Sequence, residues 1–74
     1  MIHEIMNPSP SLHRILVDEA LARLDTDLLA FVDNGRAEGK SVEEVWMDLR
    51  QVSGVPFSVR TLYRWLDKAE RAAS

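Results

Sequence analysis

Apolar residues recur at helical spacing in four stretches of this chain, and residues that start or stop helices fence each stretch. In the first, Leu12, Ile15, Leu16, Ala20, Leu21 and Leu24 follow at intervals of three and four, the signature of one helix face. Asp18, Glu19 and Arg23 fall mostly on the other side. Ser9-Pro10 suits a cap followed by proline in the first turn, where a missing N–H costs nothing, and Ser11 is the alternative cap. The spacing predicts a helix over about 10–24. Residues 1–8 show no convincing period and read as a flexible N-terminus.

Asp25-Thr26-Asp27 offers fresh cap chemistry. A second helix is expected from there, with Leu28, Leu29, Phe31 and Val32 as its apolar face. It should run to about Glu38 and stop at Gly39, a natural left-handed cap residue. Gly35 weakens its last turn. One unbroken helix over 11–38 is the alternative, since nothing at Asp25-Thr26 forbids it.

Ser41-Val42-Glu43-Glu44 is a capping box that opens a third helix. Val42, Val45, Trp46, Leu49 and Val52 line one side of it, and Ser53-Gly54 ends it. In the connector Gly54-Val55-Pro56-Phe57, proline keeps Val55 out of helical geometry. An extended path there turns Val55 and Phe57 to the same side, towards the core.

Ser58 caps a fourth helix expected to reach about Arg71. At about 100° per residue, Arg60, Arg64, Lys68 and Arg71 fall within an arc of roughly 80°. Val59, Leu62, Leu66 and Ala69 lie approximately opposite, with Thr61 and Trp65 on one flank and Tyr63 on the other. The expected fold is therefore all-α: a small domain of four helices, or of three with a long first one. The 74 residues make a single domain, with N-terminal helices over 10–38 and a two-helix unit over 41–71.

Composition narrows the chemistry. A chain this short buries only about 60–65% of its unfolded surface, so its core is thin. It has no cysteine, which rules out a disulfide and disfavours a zinc site. His3 and His13 stand alone, no nucleophile-base constellation is visible, and the three glycines form no phosphate loop. Neither a cofactor nor a metal is expected, and the chain does not read as an enzyme. No segment has the roughly 20 apolar residues of a membrane span, and no signal peptide is apparent, so a cytoplasmic protein with no membrane partner is expected. The formal net charge is −3, yet the charge is uneven. Residues 1–35 hold two arginines and six acids, whereas residues 36–74 hold seven Lys/Arg and six acids. A nucleic-acid surface would belong to the second half.

The run Gly54-Val55-Pro56-Phe57-Ser58-Val59-Arg60-Thr61-Leu62-Tyr63-Arg64-Trp65-Leu66 resembles the turn and recognition helix of helix-turn-helix proteins. Gly39-Lys40-Ser41 through Leu49 matches the usual entry into the first helix of that motif. The likeness is to domains of some transposases and of small phage or prophage regulators, and it covers about 39–66. It implies a recognition helix of about 58–71 in the major groove of double-stranded DNA. Ser58, Arg60, Thr61 and Arg64 would then stand nearest the bases or their flanking phosphates. Lys68 and Arg71 would touch the backbone further along, and Tyr63 is divided between core edge and phosphate contact. The connector is longer than the tight turn of compact repressors and suits the longer-turn variants.

Two function classes follow. One is a sequence-specific DNA-binding transcriptional regulator of phage or mobile-element type. Its first helix would serve as a homodimer surface or as a cover over the core. The other is a protein-interaction module on the same fold, whose acidic N-terminal half binds a host protein. A fragment of a larger transposase is a third option, disfavoured because no catalytic domain follows the fourth helix. The cationic row is also what solvation alone can produce, and Asp67 beside it can pair with Arg71 four residues on.

Overall fold

At the boundaries between the four helices, a left-handed residue or a side-chain oxygen replaces hydrogen bonds that a helix end loses. The computed structural model describes residues 10–73, with side chains over 12–72, as α1 (Pro10–Ala22), α2 (Leu28–Ala37), α3 (Val42–Ser53) and α4 (Val59–Ala73). The domain is all-α, with no strand among the described residues. The expected flexible N-terminus and the cap at Ser9 or Ser11 lie outside the described residues or side chains. Pro10 is the first residue of α1.

The chain does break between α1 and α2, which removes the single long helix as an alternative. Asp25 takes a positive φ of 57°. Its N–H reaches the Ala22 carbonyl, and the Thr26 N–H reaches that of Leu21. This is a Schellman ending, built on aspartate where glycine is usual. Asp27 then caps α2, accepting the Ala30 N–H at 2.9 Å. The same ending recurs after α2, where Gly39 (φ 88°) bonds Arg36 and Lys40 bonds Gly35. At Ser41 both halves of the capping box are made, to Glu44 N–H at 3.2 Å and from Ser41 N–H to Glu44 Oε1 at 2.8 Å. Gly54 closes α3 at φ 71°.

The buried core joins Val17 and Leu21 of α1, Leu28 and Val32 of α2, Val45 and Leu49 of α3, Val55 and Phe57 of the connector, and Leu62 and Trp65 of α4. Phe31, Val42, Trp46 and Leu66 pack around it. At one point α2 and α3 come very close. A Cβ placed on Gly35 would lie 2.7 Å from Val45 Cγ2, so this glycine permits a helix–helix approach as well as weakening its own turn.

Two expected apolar faces are corrected. In α1 the core takes Val17 and Leu21, whereas Leu12, Ile15, Leu16 and Leu24 are exposed. At about 100° per residue, Val17 and Leu21 lie roughly opposite Leu12, Ile15 and Leu16. The helix thus carries two apolar arcs, and Val17 and Leu21 lie on the one that enters the core. Leu24 lies beyond the helix end. In α3, Val52 is 42% exposed although Leu49, on the same expected face, is fully buried, so the core ends before the last residues of the helix. No helix of the described residues is long and apolar enough to cross a membrane.

Candidate functional site

The connector between α3 and α4 is pinned at several points, and those points set where α4 begins. Val55 and Phe57 are both buried, as expected, but not along an extended path: the Phe57 N–H reaches the Val55 carbonyl at 3.1 Å, a tight turn around Pro56. The Ser53 hydroxyl donates to the Leu49 carbonyl at 2.7 Å, and its oxygen accepts the Val55 N–H at 3.2 Å. The Trp46 indole N–H donates to the Phe57 carbonyl at 2.8 Å. The Phe57 ring lies against Trp65, with centroids 4.7 Å apart. Arg14 of α1 sits 5.8 Å above Trp65 while its Nε bonds both Asp18 oxygens. Both tryptophans therefore make contacts within the domain that fix the connector and α4.

Ser58 opens α4, its Oγ accepting the Thr61 N–H at 3.2 Å. The same oxygen lies 3.1 Å from Thr61 Oγ1. Two of the residues expected near bases thus have their hydroxyls joined at the cap. Ser58 is exposed and Thr61 half-buried.

Beyond the cap, α4 separates its residues sharply. Leu62 and Trp65 are buried, and Val59, Leu66 and Ala69 are half-buried. Arg60, Arg64, Lys68 and Arg71 are all exposed, and Tyr63 beside them is 52% exposed. Arg71 pairs with Asp67 at 3.2 Å. Among the described residues, no ion pair or hydrogen bond engages the side chains of Arg60, Arg64 or Lys68. The helix rises about 1.5 Å per residue, so these three cations span about 12 Å of its length.

One exposed cation of α3 was missed. Arg50, near the C-terminal end of α3, lies 5.0 Å over the Trp46 ring. Periodicity placed Trp46 in the core, but pairing along the helix at a spacing of four was the signal that linked it to Arg50. Elsewhere Lys40 bonds Asp48 at 2.8 Å, with Glu38 at 3.9 Å. No group of three metal-binding side chains converges among the described residues. No family model, characterised protein or solved structure matches this chain.

Proposed function

We propose that this chain is a helix-turn-helix protein that binds double-stranded DNA through α4, acting as a small transcriptional regulator of phage or mobile-element type. The observation that carries this reading is the row of Arg60, Arg64 and Lys68, exposed and unpaired among the described residues, on a helix held down by Leu62 and Trp65. An α-helix with its side chains is about as wide as the major groove, so α4 can enter it with these three cations facing in over about 12 Å of its length. Arg60 and Arg64, near the start of the helix, would reach base edges or the nearest phosphates. Lys68 and Arg71 would meet the sugar-phosphate backbone, with Tyr63 able to donate its hydroxyl to a phosphate. The Ser58 and Thr61 hydroxyls would serve first to shape the helix start.

A single recognition helix makes a small interface, and two copies on paired half-sites would hold an operator more firmly. The exposed side chains of Leu12, Ile15 and Leu16 provide a place for the second copy. Three aliphatic side chains fall well short of the roughly 800 Å² per partner of a stable interface. The pairing is therefore expected on DNA and not in free solution. A cytoplasmic protein with no catalytic role fits this reading.

The test is selection of bound fragments from genomic DNA at low salt, followed by titration of a selected duplex. Affinity should fall steeply as salt rises, and Arg60→Ala with Arg64→Ala should abolish binding. If the protein ignores duplex at low salt and instead captures a host protein, the interaction-module reading replaces this one.

A further inference from the structure

We infer that Arg50 is an additional phosphate-binding residue, pre-positioned by Trp46 beside the start of α4; this rests on the DNA-binding reading above. Arg50 is exposed, and its guanidinium carbon lies 5.0 Å from the Trp46 ring centroid. Stacking of this kind engages the face of the guanidinium plane, leaving its edge N–H groups free to donate outward. Among the described residues no carboxylate pairs with it. An arginine held over an indole, with no hydrogen bond from its donors to a side chain among the described residues, is prepared for an anionic oxygen at little further cost in side-chain freedom.

Its position follows from the next contact. The same indole donates its N–H to the Phe57 carbonyl, one residue before the Ser58 cap of α4. Arg50 is thus two contacts from Phe57, the residue that precedes the Ser58 cap of α4. Of the acids of α3, Glu43 and Glu44 lie at its other end, with Glu44 engaged in the capping box, and Asp48 is bonded by Lys40 and stands about 160° round the helix from Arg50. Seven residues separate Glu43 from Arg50, about 10 Å along the helix. A phosphate approaching α4 from the connector side therefore meets Arg50 and avoids those carboxylates. The neighbouring hollow, lined by Met47, Arg50, Gln51, Gly54, Val55 and Pro56, leaves the guanidinium open to a strand passing there.

The experiment measures affinity for one selected duplex across a range of salt, for the wild type, Arg50→Ala, Arg50→Lys and Arg60→Ala. A phosphate contact contributes about 0.9 to the slope of log K against log salt. Arg50→Ala should make the slope shallower by roughly that amount and weaken binding, with only a small drop in melting temperature from the lost stacking on Trp46. Arg50→Lys should keep the slope, because the charge is retained, while losing part of the affinity. A purely structural role for Arg50 would move the melting temperature and leave the slope alone. If Arg60→Ala alters slope and affinity but Arg50→Ala alters neither, this inference falls and the DNA-binding reading stands. If the wild type binds no duplex, both fall together.

Discussion

Gly35 shows how much a single residue decides in so small a domain. Alanine there would remove a helix-interior glycine, a change that ordinarily gains about 1 kcal/mol. The added Cβ would meet Val45 Cγ2 at 2.7 Å, and Val45 is fully buried. Overpacking of this kind costs about 1–3 kcal/mol, so the contact outweighs the propensity. Gly35→Ala is therefore expected to lower the melting temperature. Combined with Val45→Ala, it should cost less than the two changes summed, because the shared contact is gone. A gain in stability from Gly35→Ala alone would show that α2 can move off α3 freely. The periodic pattern could not reveal this, since it places a glycine on a helix without saying what lies across from it.

Between elements, the α2–α3 turn is tied to the side of α3 by one lysine. The hydrogen bond from Lys40 to Asp48, and the negative charge of that carboxylate, raise the Lys40 pKa above its ordinary value of 10.5. A cation whose pKa is raised on folding stabilises the fold below the unfolded value, and the benefit is lost as pH climbs through the folded value. Asp48→Asn should therefore lower the melting temperature slightly at neutral pH. The pair is exposed, so the effect is small. The gap from wild type should close above about pH 10.5, where the lysine discharges. Melts of both proteins at neutral and at strongly alkaline pH check this, and a gap of constant size would remove the ion pair as its cause.

Legibility also varied by element. α4 could be read well because its apolar and cationic residues are strongly segregated, leaving one choice of inner face. The ends of α2 and α3 were legible because capping chemistry is local: Ser41 with Glu44, Gly39 and Gly54 act within a few residues of themselves. α1 was misread because it has two apolar arcs, and only the positions of α2, α3 and α4 decide between Val17 and Ile15. The stop at Asp25 was ambiguous for a similar reason, since aspartate enters the left-handed region without announcing it. The cationic row on α4 was visible in the sequence, whereas Arg50 became visible only through its stacking on Trp46.

At the scale of the whole molecule, the proposed pairing through the outer arc of α1 can be tested apart from stability. Leu12, Ile15 and Leu16 are 41%, 53% and 41% exposed, so a polar replacement there leaves the core intact. Ile15→Glu should change stability by no more than about 0.5 kcal/mol. Under the proposed pairing it should nevertheless abolish cooperative loading of two copies on a duplex with two half-sites, while single-copy binding survives. Mass measurement of the complexes distinguishes the outcomes. Undiminished two-copy loading by Ile15→Glu would place the contact between copies elsewhere.

The clamped connector has a mechanical consequence. With Val55 and Phe57 sunk in the interior and an indole fastened to the Phe57 carbonyl, α4 has no hinge at its root about which to swing. Whatever it meets must conform to a preset angle, so the molecule would act as a stiff template. If its partner is a duplex, the work of adjustment falls on the nucleic acid, and sequences that bend or twist easily would be preferred even at base pairs the protein never touches.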